Sequence, residues 1–216
     1  VIFVLISSIL IFFLTKEIAG LRIGLLSMII FSLIPAVLIQ SHLALENIAP
    51  VPFTIIWIWM LSKYQKNLDS KYLILAALFL GVSLFSYLGM RLIFPVFSGM
   101  TLAFIYYLNR RKRIKKIFEE NLKFLLIVSI FPILMYLIKG QYPGAILGYL
   151  RPHNIQSYQE FILPYISSFD LSFLFIQGDS TPYHSTGKQG VFLLATLPLF
   201  VLGIISEYLA RIYDEV

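Results

Sequence analysis

The sequence predicts an all-α, polytopic integral membrane helical bundle with about seven apolar spans and one long extracytoplasmic loop. Apolar residues make up 59% of the 216 residues and charged residues 13%, with a mean hydropathy of +0.85. Soluble domains average about 45–50% apolar and about 25% charged residues. Apolar windows approaching the ~20 residues that cross a bilayer recur along the chain. Lysine and arginine cluster between these windows, as in loops between membrane spans.

Seven apolar windows define the predicted spans. They are residues 1–15, 23–40, 48–62, 72–88, 92–108, 122–138 and 191–208. Pro50 and Pro52 open the third window, and proline suits the start of a helix better than its middle. Because the sequence starts with Val1 and is apolar from there, with no basic segment before it, we expect it to begin inside a helix of a longer protein.

The basic residues assign a side of the membrane to each connecting segment. Segments rich in lysine and arginine alternate with segments that are poor in them. The segments placed in the cytoplasm contain Lys16, residues 63–71 and residues 110–116. The segments placed outside are residues 41–49, 89–91 and 139–190. We therefore expect a multi-pass protein of the plasma membrane. Basic clusters also suit nucleic acid, but between apolar spans they indicate topology, and we predict no nucleic-acid partner.

The chain divides into three predicted parts. Residues 1–138 form transmembrane helices with short loops, residues 139–190 form an extracytoplasmic loop, and residues 191–216 form the final transmembrane helix and a cytoplasmic tail. The loop contains two apolar runs, 161–166 and 171–176, that are too short to span and are expected to be interfacial or re-entrant helices. Long structured loops usually carry function.

Polar residues near the predicted outer face are the candidates for chemistry. His42 and Glu46 are four residues apart and would share one face of a helix, either as a ligand-binding or proton-transferring pair or as a solvated helix cap. Arg91 lies between two apolar spans, where its planar fork suits a phosphate. Snorkelling of Arg91 to lipid head groups is the alternative.

A further polar segment, residues 177–190, lies just before the last apolar window. It combines three glycines with Asp179, His184 and Lys188. Such groups can hold an anionic or sugar ligand, although any exposed loop can show this pattern. The other loop candidates, which we expect to be structural, are Arg151, His153 and Asp170.

Several classes of protein are excluded by what the sequence lacks. There is no cysteine, which excludes disulfides, thiolate nucleophiles and cysteine-bound metals. No Walker or dinucleotide-binding pattern, no His-Glu-x-x-His pair and no Gly-x-Ser-x-Gly elbow occurs in the sequence. We predict no metal-binding residues, and whether a divalent metal assists stays open.

Three short motifs resemble GT-C-type polyprenyl-phosphate-sugar-dependent glycosyltransferases, the relatives of dolichyl-phosphate-mannose protein mannosyltransferases and of the lipid A aminoarabinose transferase. The first is residues 35–46, with the sequence PAVLIQSHLALE. The second is Ser86–Tyr87 followed by Arg91 and Pro95. The third is Gly178–Asp179 followed by His184, Gly187 and Gly190. His42 and Tyr183 stand where arginine is common in this family.

The resemblance implies a reaction and a set of site residues. Such enzymes move a sugar, a hexose or a pentose, from a polyprenyl-phosphate donor to a protein, lipid or glycan acceptor outside the membrane, with inversion. Their general base lies in a first outer loop, which here would precede Val1, so we assign no catalytic residue. The substrate-binding residues that the resemblance implies are His42, Glu46, Arg91, Asp179 and His184.

Two other classes stay open. A transporter or flippase for lipid-linked glycans would have ionisable residues or Gly/Pro breaks near mid-membrane, and the interiors of the apolar windows hold almost no ionisable residue. A polysaccharide polymerase or ligase also combines many spans with one large outer loop, and composition does not separate it from a glycosyltransferase.

Overall fold

The computed structural model describes residues 1–42, 46–110, 114–142, 157–167, 169–178 and 189–214. All regular secondary structure in these ranges is helical, so the all-α prediction is confirmed. The chain forms two compact units. Unit 1 is Val1–Met28 with Leu45–Pro152, and unit 2 is Ile29–Ala44 with His153–Val216.

The described ranges contain ten α-helices and one short 3₁₀ helix. The α-helices are α1 (Ile2–Ala19), α2 (Leu21–Leu33), α3 (Pro35–His42), α4 (Val51–Asn67), α5 (Ser70–Ser86), α6 (Met90–Asn109), α7 (Ile114–Gln141), α8 (Tyr158–Ser167), α9 (Leu171–Phe175) and α10 (Thr196–Asp214). The 3₁₀ helix is Glu46–Ile48. As predicted, α4 starts at the prolines, with Pro50 as its N-cap residue.

Two helix boundaries differ from the predicted windows. The second window is two helices, α2 and α3, which are bent by 57° at the break between them. Pro35 explains the break, because it has no N–H and disfavours helical geometry in the preceding Ile34. The sixth window starts too late, since α7 already begins at Ile114. Lys115 and Lys116 therefore lie in a helix and not in a loop.

Three helices are long and apolar enough to cross a membrane: Ile2–Ala19, Met90–Asn109 and Lys115–Gln141. The bent pair of α2 and α3 would be a fourth span if it crosses as one. α5 and the stretch Thr196–Ser206 are apolar but shorter. The described residues thus contain three or four candidate spans by length and composition, and the predicted count of seven is not confirmed.

α5 is the centre of unit 1. It packs against α4, α6 and α7, while α1 packs against α4. Its inner face repeats at helical spacing and is fully buried at Leu73, Ala76, Ala77 and Leu80. At Gly81 an added Cβ would overlap the ring of Phe131 on α7, so the missing side chain allows close approach of the two helices.

The outer surface of unit 1 is apolar. Leu92 on α6 is 82% exposed and Leu126 on α7 is 62% exposed, and many other large apolar side chains are exposed with them. Water-exposed surfaces of soluble proteins rarely carry apolar patches of this extent. These side chains therefore face the hydrocarbon of a bilayer.

In the described part of the segment 139–190, the short helices α8 and α9 lie in the places where the sequence has its short apolar runs. Asp170 caps α9, because its carboxylate accepts a hydrogen bond from the amide of Ser172 at 2.9 Å. This is the structural role expected for Asp170. The extracytoplasmic location of this segment and the three-part division of the chain remain predictions.

Candidate functional site

The helices of unit 1 bring the basic segments together at one end. Side-chain hydrogen bonds join the ends of different helices there, and three of them show the arrangement. They run from Trp59 Nε1 to Glu17 (2.7 Å), from Asn109 Nδ2 to the Tyr64 hydroxyl (3.0 Å) and from Ser70 Oγ to Glu120 (2.8 Å). We call this the basic end of unit 1. It comprises residues 16–17, 63–71, 109–110 and 114–123. The segments that the charge rule assigns to one side of the membrane thus lie together.

Three acidic groups at the basic end contact lysines. The pairs are Glu17 with Lys63 and Lys66 (3.8 Å each), Asp69 with Lys71 (2.9 Å), and Glu120 with Lys123 (3.1 Å). Glu120 is buried, and it also accepts from Ser70. These contacts stabilise the charges of the basic end within the protein, which favours a structural role for it.

The opposite end of unit 1 holds Arg91, and the register of α4 against α6 shows what lies beside it. Two contacts define this register, Trp57 Nε1 to Thr101 Oγ1 (3.1 Å) and Asn109 Nδ2 to the Tyr64 hydroxyl (3.0 Å), whose partners are 44 and 45 residues apart. The helices therefore run parallel. The same offset places Val51, the first residue of α4, level with Pro95 and Val96, about one turn after Arg91. We call residues 46–52, 84–95 and 134–141 the Arg91 end.

Arg91 lies in the first turn of α6, with its side chain half-buried. Its Nε atom is buried and has no hydrogen-bond partner among the described residues. The start of a helix is a positive pole that favours anions and disfavours a cation. In addition, Pro95 has no N–H to donate to the Arg91 carbonyl. An oxyanion bound to this guanidinium would satisfy Nε and offset the unfavourable dipole.

The turn before α6 fixes the position of Arg91. α5 ends at Ser86, and the amide of Arg91 donates to the carbonyl of Leu88 at 3.2 Å. A Cβ at Gly89 would overlap the ring of Tyr87. Gly89 therefore permits the tight connection that starts α6 directly after α5.

The Arg91 end also carries an open cavity at the end of α7. Its volume is about 340 Å³, and it is lined by Tyr136, Leu137, Lys139 and Gly140. Small-molecule sites usually have volumes of about 300–1,000 Å³. Lys139 gives this end a second cation.

His42 and Glu46 belong to different compact units. Glu46 begins the 3₁₀ helix in unit 1, and only its backbone is described. His42 ends α3 in unit 2, and residues 43–45 lie outside the described residues. The predicted shared helical face is therefore untested. His42 Nδ1 lies 2.8 Å from the Leu38 carbonyl, so Nδ1 carries the proton and Nε2 is an acceptor in the neutral ring.

Asp179 and His184 lie outside the described residues, but the ends of their segment are described. The amides of Val191 and Phe192 donate to the carbonyls of Phe173 and Leu174 at 3.3 and 2.8 Å. Gly190 is buried, and a Cβ there would overlap the backbone of Phe175. The described residues on either side of 179–188 therefore both contact α9.

Val191, which follows the segment 179–188, caps α3. The amide of Ala36 donates to the carbonyl of Val191 at 3.3 Å, which satisfies one of the free amides at the start of a helix. His42 follows six residues later, about 9 Å further along the helix. Unit 2 thus places His42 near the segment that follows His184. Whether the five predicted residues share one ligand stays a prediction.

Sequence reasoning missed the polar atoms that packing leaves without a partner. Besides Arg91 Nε, the buried side-chain atoms without a hydrogen-bond partner in the described ranges are Gln40 Oε1, Ser98 Oγ, Asn109 Oδ1 and Asn121 Oδ1. Gln40 and Ser98 lie within apolar windows. A polar residue inside an apolar window is the feature of the sequence by which Gln40 and Ser98 could have been identified.

Metal binding is not decided by the described residues. They contain no group of three or more His, Asp or Glu side chains that could hold a metal ion. Arg151 and His153 lie outside the described residues, as do Asp179 and His184. The predicted lack of metal-binding residues therefore stays a prediction.

The helical fold and the apolar surface define a helical membrane protein, with the half-buried Arg91 at one end of unit 1. The sequence pattern of the dolichyl-phosphate-mannose-protein mannosyltransferase family matches residues 1–138, and the chain belongs to this family. The family supports a membrane glycosyltransferase of the GT-C type, which confirms the resemblance of the motifs. The third motif, at 178–190, lies beyond the matched residues. No curated protein and no solved structure matches the chain.

Proposed function

We propose that this chain is part of a membrane enzyme that transfers a sugar from a polyprenyl-phosphate donor to an acceptor outside the membrane, with inversion. The observation that carries the proposal is the half-buried Arg91 at the start of α6, whose Nε has no partner in the described part of the chain. A guanidinium binds a phosphate through two parallel hydrogen bonds. The family match supports the transfer reaction.

The two ends of unit 1 support a sidedness. Lysines and arginines of connecting segments accumulate on the cytoplasmic side, so we assign the basic end to the cytoplasm and the Arg91 end to the outside. We also assign all seven apolar windows to spans of the plasma membrane. α4 and α5 have 17 residues each, about 25 Å of helix, a length that a bilayer accommodates by thinning locally.

The chemistry that we propose uses the charge of Arg91. When the acceptor hydroxyl displaces the carrier from the anomeric carbon, the C–O bond to the phosphate breaks and negative charge grows on the phosphate. A positioned cation stabilises this charge more strongly in the transition state than in the ground state. His42, Glu46, Asp179 and His184 would line the site. The general base is not assigned to a residue of this chain, nor is the acceptor to a protein, lipid or glycan.

A transporter or flippase for lipid-linked glycans is a second candidate, and one observation favours it. The break between α2 and α3 is of the kind that transporters use to form binding sites within the membrane. Reconstitution in vesicles separates the two functions. Movement of a lipid-linked sugar across the bilayer without glycosyl transfer would favour the transporter.

The test of the proposed function compares two arginines at opposite ends of one helix. Arg91→Ala in the complete protein should lower mannose transfer from dolichyl-phosphate mannose by about 100-fold or more. Arg110→Ala is the control, since exposed Arg110 stacks on Tyr107 at the basic end, 4.4 Å from the ring centre. Equal activity of both variants and the wild type would contradict the assignment of Arg91. Glu46→Ala tests the second predicted residue of this end in the same assay.

A further inference from the structure

The register of α5 against α7 shows which part of α7 lies beside the start of α6. Two contacts each join residues 50 positions apart on these helices. They are the hydrogen bond from Ser70 Oγ to Glu120 at 2.8 Å and the close approach of Gly81 to the ring of Phe131. The two helices therefore run parallel, and the same offset places Ser86, the last residue of α5, level with Tyr136. Because α6 begins four residues after α5 ends and packs against α7, the last turns of α7 lie beside the start of α6, which carries Arg91.

These last turns of α7 form the open cavity of about 340 Å³, which we call the α7 cavity. It belongs to unit 1 and is lined by Tyr136, Leu137, Lys139 and Gly140. α7 has 28 residues, about 42 Å of helix, and its apolar run ends at Ile138. The helix is thus longer than the ~30 Å hydrocarbon core of a bilayer. The α7 cavity therefore lies at the level of the lipid head groups, where a ligand can enter from water.

The charge of the α7 cavity favours an anionic ligand. Lys139 is exposed and has no carboxylate partner among the described residues. In the residues that form the Arg91 end, Glu46 alone is acidic, whereas Arg91 and Lys139 are basic. A charge-assisted hydrogen bond is about twice as strong as a neutral one. A lysine in the last turn of a helix also interacts favourably with the helix dipole, so its charge alone does not define a ligand site.

The ring beside Lys139 indicates the rest of the ligand. Tyr136 lines the same cavity, and its side chain is 75% exposed. The face of an aromatic ring is apolar and carries partial negative charge. It therefore suits the C–H face of a sugar ring, whose hydrogens carry partial positive charge. The volume of the α7 cavity is at the lower end of the range for small-molecule sites. An acidic sugar thus fits the ring, the cation and the volume together.

We propose that the α7 cavity binds the acceptor of the sugar transfer, and that this acceptor contains an acidic sugar residue. The inference rests on the proposed function and adds to it the chemical class of the acceptor. Tyr136 packs against the ring of the acceptor sugar, and Lys139 binds its phosphate or carboxylate group. Arg91 binds the phosphate of the carrier at the neighbouring helix start. Neither Tyr136 nor Lys139 belongs to the three motifs of the family resemblance.

The first measurement is the binding of acidic and neutral sugars to the complete protein in detergent, by isothermal titration. Glucose 6-phosphate and glucuronate distinguish a phosphate from a carboxylate, and glucose is the neutral reference. At least one acidic sugar should bind about 10-fold more tightly than glucose, and Lys139→Gln should remove this preference. Tyr136→Leu should weaken the binding of that acidic sugar by about 5-fold. No binding of either acidic sugar, or an unchanged preference in Lys139→Gln, would overturn the inference.

Two control variants exclude the other cations of unit 1. Lys116→Gln replaces an exposed lysine at the opposite end of the same helix and should keep the preference for the acidic sugar. Arg91→Ala should keep it as well, because the carrier phosphate and the acceptor occupy different sites. Lys139→Arg retains the charge and should retain most of the preference. Loss of the preference in Arg91→Ala but not in Lys139→Gln would place the acidic sugar at Arg91 and overturn the inference.

The second measurement separates the acceptor site from the carrier site. Lys139→Gln should lower mannose transfer from dolichyl-phosphate mannose to the acceptors in the membranes of the protein's own cells by about 10-fold, with the donor KM unchanged. Full transfer by this variant, or a raised donor KM, would overturn the inference while the proposed function stands. A wild type that transfers no sugar from any lipid-linked donor would contradict the proposed function itself.

Discussion

The two ends of unit 1 differ in whether their charged groups have partners within the described residues. At the basic end, Glu17, Asp69 and Glu120 each contact a lysine. At the Arg91 end, the guanidinium Nε is buried and has no partner in the described residues. The unpartnered buried atoms near the basic end belong to the neutral amides of Asn109 and Asn121. Among the residues that the structure describes, the buried charged atom without a partner thus lies at the Arg91 end.

This difference separates stability from function within one bundle. Paired charges hold helix ends in place and need no ligand. A half-buried cation whose Nε has no partner is unfavourable for the stability of a fold, and such unfavourable groups concentrate at functional sites. We therefore expect substitutions at the basic end to change mainly the free energy of unfolding. Substitutions at the Arg91 end should change mainly ligand binding and transfer.

The largest expected effect on stability is at Glu120. Glu120→Ala removes the acceptor for Ser70 and Lys123 from a buried position and should lower the free energy of unfolding by about 2–3 kcal/mol. Chemical unfolding in detergent measures it, with exposed Glu119→Ala as the matched control. Donor KM should stay unchanged in membranes that retain folded protein. A raised donor KM without a lower free energy of unfolding would contradict the assignment of stability to the basic end and of ligand binding to the Arg91 end.

A smaller effect on the free energy of unfolding is expected from a substitution in the middle of the bundle, between the basic end and the Arg91 end. Gly81→Ala forces the ring of Phe131 to move and should lower the free energy of unfolding by about 1–2 kcal/mol. Gly99→Ala on α6 meets no atom within 4 Å and should be neutral or slightly stabilising. Equal midpoints for the two variants would show that the approach of α5 to α7 is not tight.

The smallest expected effect on the free energy of unfolding is that of a substitution at Asp69, between α4 and α5. The backbone N–H of Lys71, and then its side chain, hold the pKa of Asp69 below its ordinary value. The ionised carboxylate therefore adds stability above the unfolded pKa of about 4, and this is lost as the pH falls through the lowered pKa. Asp69→Asn keeps the helix cap and should show slightly lower stability than the wild type at pH 7 but not at pH 3. A constant difference across this range would contradict the stabilisation by charge.

The apolar windows and the alternation of basic segments could be predicted because each depends on local composition. The extension of α7 through Lys115 and Lys116 was missed. Its first turns are stabilised by the contact of Glu120 with Ser70 on another helix, which local hydropathy does not report. The break at Pro35 was missed because a hydropathy window averages over a single proline.

The candidate site was predictable only in part. Arg91 stands out in the sequence because it is the one lysine or arginine in the two short segments, 41–49 and 89–91, that the charge rule places outside. The unpartnered oxygen of Gln40 depends on which groups pack around it, and a sequence does not show this. The grouping of His42 with Glu46 on one helical face stays a prediction, because residues 43–45 between them lie outside the described residues.

The most direct test of the account is the binding of a carrier phosphate without its sugar. A short-chain polyprenyl phosphate, added to the complete protein in detergent, should raise the thermal unfolding midpoint of the wild type and of Arg110→Ala, because a ligand that binds only the folded state stabilises it. Arg91→Ala should show no rise at the same lipid concentration. An equal rise in all three proteins would contradict the assignment of the phosphate to Arg91.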